Sequence, residues 1–230
     1  MKLTVVMPVY NEAATLEEIV RRVSTSCAGY DMELIMVDDG STDGSLEIAD
    51  RLVESDPRVT LLRTGRNSGK GAALALGFAT ARGDVILVQD SDLEYDPAEY
   101  PVLLAPILDG RADVVYGSRF LGGPHRVLYY WHCVANRLIT TLSNMFTNLN
   151  LTDVETCYKA FRHEILEGIR IRSKRFGFEP EITAKIARRR ARVYEVPISY
   201  SGRTYSEGKK VGWIDAVKAV VTIVWFRFFD

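Results

Sequence analysis

Residues 85–97 read VILVQDSDLEYDP. Val85 to Val88 are four apolar residues in a row, the pattern of a strand buried on both faces. At the end of that run the text turns acidic, with Asp90, Asp92, Glu94 and Asp96 on alternate positions. A doubly buried strand belongs to a mainly parallel sheet covered by helices, and in such sheets ligands gather beyond the carboxyl ends of the strands. The stretch therefore sets both the fold class and the place to look for a site.

The rest of the first half repeats the pattern. LTVVMPV (3–9), ELIMVDD (33–39), RVTLLRT (58–64) and ADVVYGS (112–118) read as further strands. EAATLEEIVRRV, with Leu16, Ile19, Val20 and Val23 on one face, reads as a helix, as do SLEIADRLVES, GKGAALALGFATA and a segment from about Pro97. Alternation of this kind predicts an α/β fold of Rossmann type with helices on both faces of the sheet. Polar text falls where the strands end: YNE after the first, DDGSTDGS after the second, DSDLE after the fourth. The second half differs. Residues 127–151 form an aromatic, helical stretch in which Trp131, Ala135, Leu138, Leu142, Met145 and Leu149 recur at three or four residues. EPEITAKIARRRA reads as a helix, RVYEVPISY as a strand, and 212–228 as an amphipathic helix. No long linker separates the halves, so residues 1–230 are expected to form one domain. Residues 1–118 and 119–230 are its two halves.

The four acids divide. Asp96 begins DPAE, which has the signature of a helix start: Asp96 as N-cap, Pro97 in the first turn, Glu99 three residues on. In an extended segment Asp90, Asp92 and Glu94 share one face, and carboxylates gathered there suit a hard divalent cation; a solvated acidic turn is the plain alternative. In VDDGSTDGS the residues Thr42, Asp43 and Gly44 suit a turn and helix cap, whereas Asp39 sits where the strand meets the cleft and is placed to accept a ring N–H of uracil or guanine. Gly69 and Gly71 bring backbone close to a neighbour, and Lys70 before a helix suits either an anion or a plain helix start; the phosphate-loop spacing is absent.

Composition narrows the classes. The net charge of −1 offers no global field for nucleic acid, and 47% hydrophobic residues are ordinary for a globular chain. Cys27, Cys133 and Cys157 are scattered and odd in number, which predicts reduced thiols and a cytosolic setting. The start lacks the apolar core of a signal peptide. The longest apolar run near the end, AVVTIVWF (219–226), falls short of the roughly 18 residues a spanning helix needs, though it would suit an interface.

Taken in order, VVMPVYNE, ELIMVDDGSTDGS, NSGKGAALALG, QDSDLEYDP, VVYGSRF, TDVETCYKAF and GRTYSEGKKVGWIDAVKA resemble the family-2 inverting glycosyltransferases, most of all the branch that makes polyprenyl- and dolichol-phosphate sugars. The resemblance implies a GT-A fold, a nucleotide-sugar donor such as GDP-mannose or UDP-glucose, Mg2+ or Mn2+, and a lipid-phosphate acceptor. It implies that Pro8, Tyr10, Glu12, Val37 and Asp39 frame the base and ribose, that Asp90 and Ser91 contact the nucleotide, and that Asp92 and Glu94 hold the metal. Ser91 stands where many members have Ala, Glu94 where mannose-type relatives can have Gln, and CYKAF replaces a GFR-like text.

For an inverting transfer the residues then take roles. Arg203, Lys209 and Lys210 lie in a Gly-bearing loop suited to closing over the donor diphosphate, a solvated basic loop being the plain alternative. A phosphate monoester is already anionic near neutral pH, so arginine to orient it matters more than a base; Arg119 and Arg137 are the candidates, with Arg137 equally suited to a surface role. Asp153 would serve as base for an alcohol acceptor and as a positioning or capping residue for a phosphate. The helices at 127–151 and 212–228, with Trp213, Trp225, Phe226, Phe228 and Arg227, would lie in the membrane interface at the cytoplasmic face, unless their stripes pack inward; Arg188 to Arg192 would add attraction to anionic lipid or simply form a solvated face. Rival readings are a transferase of the same fold using a soluble or polysaccharide acceptor, and a nucleotide-sugar-binding protein without catalysis. Neither the sugar nor the oligomeric state follows from the sequence.

Overall fold

A computed structural model describes residues 1–175, 177–208 and 213–229 of the chain. The Val-rich run near the N-terminus forms β1 (Lys2–Val9), buried along almost its whole length. α1 (Leu16–Ser26) turns Leu16, Ile19, Val20 and Val23 inward, as their spacing predicts. β2 (Asp31–Asp38), α2 (Ser45–Ser55), β3 (Val59–Arg63), α3 (Lys70–Thr80) and β4 (Val85–Val88) follow, and β1 through β4 are parallel. A single 3-10 turn at Pro97–Glu99 runs into α4 (Tyr100–Leu108), and β5 (Val114–Ser118) completes the first half.

The second half adds α5 (Tyr130–Thr147), β6 (Lys159–Arg162), a single helical turn α6 (His163–Leu166), α7 (Phe178–Arg188), β7 (Val193–Pro197) and α8 (Trp213–Phe228). The strand order is β3-β2-β1-β4-β6-β5-β7. β6 is the departure from the sequence reading: it lies in TDVETCYKAF, which has no strand-like alternation, and it runs antiparallel to both β4 and β5. Four residues, three of them buried, are too short a run for periodicity to declare. With β6 between them, β4 and β5 never touch, and both halves of the chain build one sheet.

Asp96 caps the turn as expected, its carboxylate accepting from the Ala98 amide at 3.0 Å. Glu99 does not close a capping box; it accepts instead from the Ser199 amide at 2.7 Å, tying α4 to the loop after β7. α5 is shorter than the 127–151 stretch. It buries Ile139, Thr140 and Ser143 and turns Trp131, Leu138 and Met145 outward. Among the described residues no helix is long and apolar enough to cross a membrane.

Candidate active site

The ends of β1, β2 and β4 open on one cleft. β1 runs into Asn11, whose φ of 51° places it in the left-handed region, and the turn delivers Glu12 to the cleft floor, 7% exposed. Beyond β4 the chain does not stay extended. Leu93 has φ 63°, and the segment bends. The three acids stay within reach of one another but take different partners: Asp90 meets Lys70, with Nζ–Oδ1 at 3.0 Å, while Asp92 and Glu94 face Arg203.

Arg203 is the centre of the cluster. Its Nη2 lies 2.9 Å from Glu12 and 3.3 Å from Asp92, its Nη1 donates to Glu12 at 3.0 Å, and its Nε is 3.6 Å from Glu94. Burial opposes its charge, but Glu12, Asp92 and Glu94 outweigh that and raise its pKa. The Asp92 carboxyl is pushed up to about 8 by burial and by the like charges of Asp90 and Glu94. Glu94 is also a loop anchor, accepting from the Tyr200 hydroxyl at 2.7 Å and the Arg203 amide at 2.7 Å. Asp92 is the less committed of the two, since among the described residues its other oxygen accepts only the Glu94 amide, at 3.1 Å. Among the described residues no three His, Cys, Asp or Glu side chains gather as a ready metal cage. The oxygen chemistry fits Mg2+ or Mn2+ all the same, because such ions take one or two carboxylates and complete their shell from phosphate and water, and because the site already collects a cation in the form of a guanidinium.

Around this centre the anticipated nucleotide residues occupy the strand ends. Pro8 is in register with Val37 across β1 and β2, and Tyr10 follows β1. Ser91 is 5% exposed and its hydroxyl donates to the Pro8 carbonyl at 3.0 Å, so it braces the floor. Asp39 is more occupied than the sequence suggests: it accepts from the Thr64 hydroxyl at 2.7 Å, the Ser68 amide at 2.9 Å and the Gly69 amide at 2.6 Å. A base N–H would be a fourth donor to it. Gly69 and Gly71 do make close approaches, but to the backbone at 173–175: a Cβ on Gly71 would lie 2.0 Å from the Ser173 carbonyl oxygen. Lys70 is held by Asp90 and by Glu179 at 3.2 Å rather than presented alone to an anion.

A second cluster lies toward α5. Arg119 binds Asp153 through two prongs, Nε–Oδ2 at 2.6 Å and Nη2–Oδ1 at 2.7 Å, with Asp153 fully buried. Asn136 of α5 donates to the same carboxylate at 3.2 Å. Asp153 thus orients Arg119. Arg119 and Arg137 each stand 5.9 Å from the Phe120 ring, which they flank, and Arg137 is exposed. Arg119 also lies 5.1 Å over Tyr200, the residue that reaches Glu94, so the two clusters touch. Lys209 and Lys210 lie outside the described residues. Missing from the sequence reading are Tyr200, Asn136, Glu155 and Glu179. The last of these has a legible signal, as one of two acids spaced among apolar residues at the start of a helix, FEPE.

A family model described as Glycosyl transferase family 2 matches residues 4–170. The chain belongs to this family. Polyprenol monophosphomannose synthase of Mycolicibacterium smegmatis is 34% identical over 216 residues, 90% of this chain and 80% of that protein. Undecaprenyl-phosphate 4-deoxy-4-formamido-L-arabinose transferase of Aeromonas hydrophila is 31% identical over 210 residues, 90% of this chain and 62% of that one. Dolichol-phosphate mannosyltransferase of Pyrococcus furiosus is 30% identical over 215 residues, 92% of this chain and 60% of that one. The chain thus spans only some three fifths of the last two relatives. Among solved structures, glucosyl-3-phosphoglycerate synthase from Mycobacterium tuberculosis, in complex with Mn2+, UDP and phosphoglyceric acid, superposes with a TM-score of 0.76 over 100% of this chain and 79% of that one at 21% identity, a likeness of fold. The family-2 chain has the GT-A-like α/β fold anticipated for it.

Proposed function

We propose that this family-2 chain transfers a hexosyl group, with inversion, from a nucleoside diphosphate sugar such as GDP-mannose or UDP-glucose to a polyprenyl phosphate at a membrane surface, using Mg2+ or Mn2+. The observation that carries the proposal is the adjacency of two unlike clusters in one cleft. Carboxylates wrap a cation at the strand ends, and an arginine fixed by a buried aspartate stands beside a helix with an outward apolar face. The relatives named above are transferases acting on polyprenol, undecaprenyl or dolichol phosphates, which supports the lipid acceptor.

In this mechanism Asp92, with Glu94, would hold the divalent ion. That ion, when bound, neutralises charge on the leaving diphosphate. Pro8, Val37 and Tyr10 bound the base pocket. Arg203 leaves Glu12 and Asp92 for the diphosphate, a change of anionic partner that keeps the guanidinium paired throughout. Arg119, its plane locked by Asp153, orients the acceptor phosphate with Arg137 beyond Phe120. The phosphate is its own nucleophile, so Asp153 positions rather than abstracts a proton, in keeping with its engagement by four donors, the Arg119 amide included. The outward faces of α5 and α8 rest in the lipid interface.

The test is a panel of nucleotide sugars with Mn2+ or Mg2+ and a polyprenyl phosphate, scored for lipid-linked sugar. Turnover confined to soluble acceptors would select the soluble-acceptor reading. No donor turnover in wild type or Asp92→Ala would select a binding protein.

A further inference from the structure

The stretch TDVETCYKAF, where the sequence departs from a GFR-like text, carries a buried cation that the mechanism above does not use. Lys159 opens β6 fully buried, opposite Tyr116 of β5 in the antiparallel register. Its ammonium group turns back along the chain. It donates to the Val154 carbonyl at 3.1 Å and to the Thr156 carbonyl, and it lies 4.6 Å from the centre of the Tyr116 ring. These partners are carbonyls and a ring rather than a carboxylate, and an ammonium group taken out of water on such terms is costly to bury.

What the lysine holds is the turn at Val154 and Glu155. The amides around that turn are met from other elements. Thr152 and Asp153 donate to Glu195 of β7 at 2.9 and 3.1 Å, Val154 to the Thr140 hydroxyl of α5 at 3.2 Å, and Cys157 to the Tyr95 hydroxyl at 3.2 Å. The carbonyls of Val154 and Thr156 are met by Lys159. The turn leads directly out of Asp153, the carboxylate that grips Arg119 through two prongs. We infer that Lys159 is a positioning residue for the transfer: it closes the 153–157 segment from within, so fixing Asp153 and, through it, the plane of the arginine that orients the acceptor phosphate. The inference rests on the acceptor reading given above. The acids proposed for the metal, and Arg203 beside them, sit on other segments, after β1, β4 and β7. A loss confined to the acceptor therefore separates this role from a general loosening of the fold.

Lys159→Met keeps the length of the side chain and removes its charge. Geranyl phosphate, a soluble stand-in for the lipid acceptor, is titrated by calorimetry into wild type, Lys159→Met, Arg119→Gln and the double variant. Mn2+ with GDP or UDP, whichever binds, is titrated into the same proteins, and thermal melts check folding. Lys159→Met is expected to lose roughly 10-fold of the affinity for geranyl phosphate, the worth of a hydrogen bond to a charged group, while nucleotide affinity stays within about twofold. In the Arg119→Gln background the same substitution should cost less than about twofold further, because its effect passes through Arg119. If Lys159→Met melts well below wild type, Lys159→Gln, which keeps a donor for one of the two carbonyls, carries the same comparison. A loss of the same size in both backgrounds, or an equal loss for the nucleotide, overturns the positioning role and leaves the acceptor reading intact. So does unchanged geranyl phosphate affinity in Lys159→Met beside a clear loss in Arg119→Gln. No binding of geranyl phosphate by wild type, or no loss in Arg119→Gln, overturns the positioning role and the acceptor reading together.

Discussion

Arg203 competes at the residue scale with the ion that Asp92 and Glu94 would hold. While it sits on Glu12 and Asp92 it offsets their repulsion, and a cation entering alone must displace it. Wild type is therefore expected to bind Mn2+ weakly by itself and more tightly once a nucleoside diphosphate draws the guanidinium away. Arg203→Gln should bind Mn2+ alone several-fold better than wild type, read by the loss of the free-ion paramagnetic resonance signal; equal affinity in the two proteins would remove Arg203 from this role. Glu155 makes a second prediction. Its folded pKa, about 8, lies above its ordinary value of 4.5, so its stability contribution is full below about 4.5 and is lost as pH rises through about 8. Wild type should lose more stability between pH 5 and pH 9 than Glu155→Gln, measured by urea midpoints, and parallel curves would refute it. The individual acids at 90–96 are legible in the sequence as residues of consequence. Their division is not, because it is set by the cations that face them, Lys70 from α3 and Arg203 from the loop after β7, which are distant in sequence.

α5 is built inside out at the scale of the element. It buries Thr140 and Ser143, satisfying the first through the Val154 amide at 3.2 Å, and exposes Trp131 at 76% and Met145 at 73%. Of the stripe marked in the sequence, Leu142 and Leu149 pack against the core while Trp131, Leu138 and Met145 do not. Phe226, expected in an interfacial belt with Trp225 and Phe228, is buried at 4%, with Lys185 4.9 Å from its ring; Trp225 and Phe228 are exposed. Replacing Trp131, Leu138 and Met145 together by Ser should lower flotation with anionic vesicles yet change stability by no more than about 0.5 kcal/mol per site. A large stability loss would mean that they pack within the fold. α3 shows the opposite sensitivity. Gly71→Ala sets a methyl against the Ser173 carbonyl, and about 1–3 kcal/mol of destabilisation is expected in a denaturant melt. Periodicity placed these residues in one stripe, but the helix divides it, Leu142 turning to the core and Trp131, Leu138 and Met145 away from it.

The parallel α/β frame of the whole molecule was legible, since five strands and their helices follow runs of apolar residues with polar ends. β6 was not, because its neighbours rather than its own pattern make it a strand. Burial sorts the three cysteines: Cys27, pushed up to about 12 by burial, and Cys157 are enclosed, whereas Cys133 is partly exposed. Brief alkylation of the native protein near pH 8 should mark Cys133 first, and labelling of Cys27 at a similar rate would contradict the packing around it. The antiparallel β6 has a further consequence for how the chain comes into being. β1, β2, β3 and β4 are contiguous in the sheet, so the first 88 residues can assemble as soon as they are made. β5 cannot join them, because its sheet partners are β6 and β7, the nearer of which begins 41 residues after β5 ends, at 159 against 118. During synthesis β5 must wait, its Val114, Val115 and Tyr116 uncovered, until the ribosome has delivered the strand that wedges between it and β4.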